Sequence, residues 1–109
     1  MKILITENRR DRLAKQELDK AFSNLYVEKK YVRDSTGSHG TINYINDDGV
    51  ILLYGSRSNA LYICEDVVKP IIYFGYTPQE SKNVVGEWFS EKFELPVKIV
   101  QHVNKSVLN

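Results

Sequence analysis

The groups best suited to chemistry crowd into one stretch, DSTGSHGT, from Asp34 to Thr41. Ser35 or Ser38 could serve as nucleophile, His39 as base and Asp34 as the group that orients it. Nucleophile, base and orienter must converge in space, which neighbours in one short loop rarely do, and the G-x-S-x-G turn that lifts a serine out of a sheet is absent. The same stretch has glycines for a phosphate cradle. A P-loop, however, needs G-x-x-x-x-G-K-[ST] between a strand and a helix, so that backbone N–H groups and a lysine close on phosphate. Gly37 and Gly40 are too close together and no lysine follows. His39 and His102 are the only histidines and neither has a His or Cys at ligand spacing, so no metal centre is expected. Cys64, the sole cysteine, lies in the apolar run ALYIC and is expected to be a buried, inert thiol. Asp47 and Asp48 are turn residues by type. The expectation is a protein that is not an enzyme and carries no cofactor.

Binding is the other chemistry on offer. Arg9, Arg10, Arg12 and Lys15 form a basic knot near the start of the chain, where phosphates or an acidic partner could be held. Tyr44, Tyr54 and Tyr62 fall on successive β-rich runs, and aromatics on a sheet can stack bases. The RRM glycine–aromatic signature is missing, and tyrosine also suits a half-buried strand. Charge adds little: residues 1–40 hold nine Lys/Arg against six Asp/Glu, residues 41–109 hold six against eight, and the net is +1. The basic knot therefore reads as a solvated helix face, with nucleic-acid binding as the alternative.

A protein partner fits better. VILLYG (50–55) is apolar on both alternating faces, Val50, Leu52 and Tyr54 on one and Ile51 and Leu53 on the other. Ile42 and Ile45 likewise point to opposite sides. Either helices cover both faces of such a sheet, or one face meets another chain. Tyrosine and tryptophan are the residues most enriched at interface anchors. The expected partner-contact residues are Tyr44, Leu53, Tyr54, Tyr62 and Trp88.

The elements that must position these groups follow from periodicity. KILI (2–5) is a short apolar run, taken as a first strand, and Thr6 is placed to cap a helix from Glu7 to about Tyr26. Leu13, Ala14, Leu18, Ala21, Phe22 and Leu25 make its apolar stripe. EKKYVR (28–33) suits an edge strand guarded by lysines, and 34–40 a loop. TINYIND, the Asp48-Gly49 step, VILLYG, a turn at 55–59 and ALYIC predict a three-stranded meander over 41–64. Asp66 is expected to cap a short helix ending at Phe74, with Gly75 as its stop. Thr77, Pro78 and Glu80 spell a capping box for a second helix bearing Val84, Val85, Trp88, Phe89 and Phe93. Gly86, at the margin of that face, hints at close approach to a neighbour, and Pro96 ends the helix. VKIVQHV (97–103) predicts a last strand and NKSVLN a tail. Strands run together with helices to either side in sequence, so the class is α+β. A mostly antiparallel sheet, the meander plus terminal strands, is packed by an N-terminal helix and a C-terminal helix pair.

At 109 residues, 42% hydrophobic and 27% charged, the chain suits one ordinary globular domain, 1–109. MKILI is too short for a signal-peptide core, and no stretch approaches the roughly 20 apolar residues that span a bilayer.

Two segments carry a resemblance. KILITENRRDRL resembles the K-[IL]-[IL]-I-T-E opening of small uncharacterised proteins of tailed bacteriophages and their marine or Bacteroidetes-type hosts. The run from the DG turn through LYICEDVV, Gly75, Glu80, Val85, Trp88 and Leu95-Pro96-Val97 is similar to the strand–helix–helix–strand C-terminal half of such proteins. The resemblance implies origin rather than mechanism: a phage-type protein acting by protein–protein contact, as a virion or assembly component. An inhibitor of a host protein is a further alternative. The expected location is the cytoplasm of a bacterial host, with incorporation in the virion as a second setting.

Overall fold

A computed structural model of the chain describes residues 2–34 and 37–109, and the side chains of residues 9–31 and 40–109. Helix α1 spans Lys2–Ala21. The first strand expected at 2–5 is instead the opening of this helix, and Thr6 lies inside it. No Gly or Pro interrupts the chain between Lys2 and Ala21, so nothing local separates KILI from the helical stripe behind it. The helix also ends short of Tyr26, because Phe22–Asn24 form the turn that feeds the sheet.

Five strands follow: β1 (Tyr26–Asp34), β2 (Gly37–Asn46), β3 (Gly49–Gly55), β4 (Ala60–Ile63) and, near the C-terminus, β5 (Ile99–His102). They are hydrogen-bonded in the order β1-β2-β3-β4-β5. All neighbours are antiparallel except β4 and β5, which are parallel. The expected meander is present. The loop expected over 34–40 is largely strand: β1 and β2 pair from Tyr26↔Ile45 out to Asp34↔Gly37, leaving only Ser35 and Thr36 outside the described residues. Continuous pairing overrides the Gly/Ser composition that suggested a loop. At the next hairpin the chain turns at Asp47–Asp48, where the Asn46 side chain accepts a bond from the Asp48 N–H at 2.8 Å. Gly49 then enters β3 at φ 111°, a value that side-chain-bearing residues avoid.

Helix α2 is only Glu65–Val68 and continues as a 3₁₀ segment, Lys69–Phe74. Pro70 has no N–H to give to the carbonyl four residues back, so the α-helical ladder cannot continue through it. Asp66 is not the cap expected of it. Cys64 holds that position, and Asp66 instead pairs with Lys69 at 3.2 Å and Lys105 at 3.0 Å. Gly75, left-handed at φ 75°, makes the predicted stop. Helix α3 (Pro78–Phe93) starts on the predicted capping box. The Thr77 hydroxyl accepts from the Glu80 N–H at 3.2 Å, and the Glu80 carboxylate accepts from the Thr77 N–H at 2.9 Å. The expected tail contains a fourth short helix, α4 (Lys105–Leu108), with Leu108 buried. After it, the Asn109 side-chain amide bonds both the N–H and the C=O of Val50, at 2.9 and 3.0 Å.

The core lies between α3 and one face of the sheet. Register puts Ile42, Tyr54, Leu61 and Val100 in one row across the strands, and Tyr44, Leu52, Ile63 and His102 in the next. Phe89 stacks on Tyr54 at 5.5 Å and meets the edge of Tyr44 at 5.1 Å. Helix α1 packs against α3 and buries Ala14 and Leu18, and Phe22, just past its end, lies against Trp88. Gly86 is where α3 touches β5: a Cβ there would lie 2.8 Å from Val100 Cγ2. The fold is elongated, with extents of 51 × 30 × 21 Å, because β1 and β2 run on beyond the last β2–β3 pair, Thr41↔Gly55.

Candidate protein-contact surface

Strand alternation sorts the tyrosines. Tyr44 and Tyr54 point to the α3 side and are 2% and 1% exposed, and Trp88, on α3, is 2% exposed. Their polar atoms are satisfied or shielded inside the monomer. Tyr54 Oη donates to the Pro96 carbonyl at 2.6 Å and lies 2.9 Å from the Asn59 side-chain amide. Trp88 Nε1 donates to Asp19 at 2.8 Å, and Lys92 reaches the same carboxylate oxygen at 3.3 Å. Burial, with Tyr54 close by, pushes the Tyr44 hydroxyl up to about 12. These three residues are core, which corrects their expected place at a partner surface. A strand exposes every second residue, and these are the covered ones.

Leu53 and Tyr62 fall on the opposite face, directly paired. The register makes them the middle of a row that crosses all five strands: Glu28, Asn43, Leu53, Tyr62 and Gln101. Leu53 and Tyr62 are half-buried and Gln101 is exposed. In the adjacent row Ala60 pairs with Ile99, which is 47% exposed. Asn43 is only 7% exposed, and its side-chain carbonyl has no hydrogen-bond partner among the described residues. A buried unpaired acceptor costs about 1–3 kcal/mol, so this outer face carries a polar defect that the inner face lacks.

The basic knot does not stay together. Arg10 turns onto α3 and the segment before it, with its guanidinium 4.4 Å over the Tyr76 ring and 3.4 Å from Glu80. Tyr76 in turn donates to Asp11 at 2.7 Å, and burial together with that bond holds its hydroxyl well above the usual range. Lys15 reaches Glu91 at 2.7 Å and Glu87 at 3.4 Å. Partial burial pulls the Lys15 amine down, but these two carboxylates outweigh it and keep the amine above its ordinary value. Arg9 and Arg12 remain exposed. Half of the expected cluster is thus spent on clamping α1 to α3, and Arg9, Arg10, Arg12 and Lys15 do not converge on one groove.

The chemistry-bearing stretch gives no site among the described residues. The side chains of Asp34, Ser35, Ser38 and His39 lie outside them. Gly40 is tied to Ser56 by three bonds, its N–H to the hydroxyl at 3.2 Å and its carbonyl to the hydroxyl and N–H at 3.0 and 3.1 Å. His102 is exposed and Cys64 fully buried. Among the described residues, no three His, Cys, Asp or Glu side chains converge as metal ligands, and no helix is long and apolar enough to cross a membrane.

Two features escaped sequence reasoning. Asn43 is one; it stands between Ile42 and Tyr44, so alternation gives its side but not its burial. The other is the edge of β5, beside which α3 and the strand enclose an open groove of about 950 Å³. Lys82, Glu87 and Glu91 line it from α3, and Lys98, Ile99 and Val100 from the strand. The margin position of Gly86 was the one sequence signal of this meeting. Compared with protein-family models, with characterised proteins and with solved structures, the chain matches none.

Proposed function

We propose that this protein acts without catalysis, as a contact protein whose working surface is the outer face of the sheet. The observation that carries this reading is the pair Leu53–Tyr62, joined in register on the face turned away from the aromatic core and left half-buried there. Asn43 beside Leu53 strengthens it, because a polar group kept at a stability cost is expected where it serves binding. The pairing of Arg10 and Lys15 with α3 carboxylates weakens the nucleic-acid alternative, and Lys30 on the outer face is itself paired with Glu28 at 3.3 Å. A virion or assembly component of a phage is the setting we propose, on the resemblance of its opening and C-terminal half.

A photo-cross-linking residue at position 62 tests the reading, with one at Tyr73, 94% exposed on the 3₁₀ segment, as reference. Position 62 is expected to join a discrete partner from extracts of the producing cells or from purified virion proteins, while position 73 gives only diffuse products. Equal labelling from both positions would overturn the assignment of the outer face.

A further inference from the structure

Two observations meet at the free edge of β5. The first is backbone left without a partner. The register sets Leu61 against Val100, Tyr62 against Gln101 and Ile63 against His102, and the Val103 N–H donates to the Ile63 carbonyl at 2.8 Å. Only every second residue of a strand turns its N–H and C=O to the same neighbour. Val103 and Gln101 therefore face β4, while Val100 and His102 face away from it. Among the described residues no strand lies beyond β5, so these groups are open to a further strand.

The second is how α3 sorts its charges beside that edge. Gly86 sits on Val100, and residues four apart share a helix face, so Lys82, Gly86 and Ser90 form the row nearest the strand. Glu87 and Glu91 stand one residue further round, on the side of α1, where Lys15 meets them at 3.4 and 2.7 Å. Lys82 has no ion pair among the described residues. Neither has Lys98, which lies just before β5 with its N–H on the Asn59 carbonyl at 2.8 Å. Both lysines line the groove. The chain runs back along α3 past Val97 and Val100 at Gly86, which puts Lys82 towards the His102 end and Lys98 on the other side of Val100. With the carboxylates held by Lys15, the open backbone is flanked by two uncommitted cations.

We infer that this edge takes an extended, acidic segment of a partner protein, which adds to the five-stranded sheet as a further strand. Main-chain bonds to Val100 and His102 attach it, and carboxylates that reach Lys82 and Lys98 select its sequence. The groove of about 950 Å³ houses the side chains that point towards α3. A basic segment would meet both lysines at like charge. The edge's own sequence, KIVQHV (98–103), holds no carboxylate, so it does not complement itself. Leu53 and Tyr62 take no part, so the inference goes beyond the reading of the outer face and does not depend on it.

The test is an NMR titration of the full chain at low salt with a short capped peptide of alternating valine and glutamate, and with its valine–lysine counterpart, each up to about 5 mM. The glutamate peptide is expected to shift the Val100 and His102 amides and slow their hydrogen exchange, while Leu53 and Tyr62 stay unmoved. It should bind at least about tenfold more tightly than the lysine peptide. Lys82→Glu, on the surface of α3, should keep the fold and cut that preference at least about threefold. His102→Pro removes an N–H from the open edge without touching the β4 ladder and should weaken binding of the glutamate peptide at least about tenfold. No change at Val100 and His102 with either peptide overturns the inference. So does equal binding of the two peptides, or a preference that Lys82→Glu leaves intact. Protection of these amides that grows with protein concentration alone would place a second copy on the edge and overturn it as well.

Discussion

The two faces of the sheet are built from alternate residues of the same strands, yet they are finished differently. On the inner face Tyr44, Leu52, Tyr54, Leu61 and Ile63 are all at most 2% exposed. They meet α3 through four aromatic side chains packed at ring distances of 4.5–5.5 Å: Tyr44, Tyr54, Phe89 and Phe93. On the outer face the same strands leave Leu53 and Tyr62 half-covered, Ile99 open and Asn43 with an unanswered carbonyl. The difference is one of closure: the inner face is sealed by α3, whereas on the outer face Ala60 and Asn43 are buried among more open neighbours. Stability is concentrated on the inner side, and the outer side is free to keep groups that folding alone would not select.

Substitutions on the two faces should therefore diverge, and the largest effect belongs inside. Trp88→Ala removes the ring that joins α1 to α3 and its Nε1–H bond to Asp19, which keeps only Lys92. It should cost about 3–5 kcal/mol in urea unfolding, enough to leave a domain of this size marginal. A loss of less than about 1 kcal/mol would break the claim that the inner face carries the fold.

The next effect is in pH. Tyr44 ionises near pH 10 when unfolded but only near 12 in the core. Its folded value is the higher one, so its stabilisation is complete below pH 10. It is lost as pH rises towards 12, because the unfolded chain releases the proton first. Thermal melts of the wild type should fall over that window, and Tyr44→Phe should flatten the fall. An identical fall in the variant would show that Tyr44 is not the group responsible.

The smallest effect is the most telling about the outer face. Asn43→Val removes the unpaired acceptor and keeps a strand-forming side chain, so it should leave Tm unchanged or raise it. A clear loss of stability would mean that Asn43 holds the sheet together and is no concession to binding.

What could be read from the residues alone follows the range of the interactions involved. The start of α3 was legible because Thr77, Pro78 and Glu80 make a cap within one turn. The meander was legible because alternation and turn residues are equally local. The front of α1 was not, since KILI is apolar under either a strand or a helix reading and only the absence of a breaker decides. The first half of β2 was hidden by its glycines and serines, because its strand character comes from pairing with β1, where Gly37 to Gly40 meet Asp34 to Tyr31. Alternation did place Leu52 and Tyr54 on one face and Leu53 on the other. It failed at the start of β3, where the register shift beside Tyr44 and Ile45 pairs Val50 with Ile45 and Ile51 is fully buried. Which face the helices would cover depends on how α3 returns over the sheet, and nothing local encodes that. Tyr44, Tyr54 and Trp88 were misplaced for this reason, whereas Leu53 and Tyr62 are paired and half-buried on the opposite face.

The most direct measurement is on Leu53→Lys, which puts a charge in the middle of the outer row. Its melting should stay within about 1 kcal/mol of the wild type, as expected where an apolar side chain is only half-covered. Cross-linking to the partner from position 62 should disappear. A folded Leu53→Lys protein that still cross-links at full yield would contradict the outer face as the working surface.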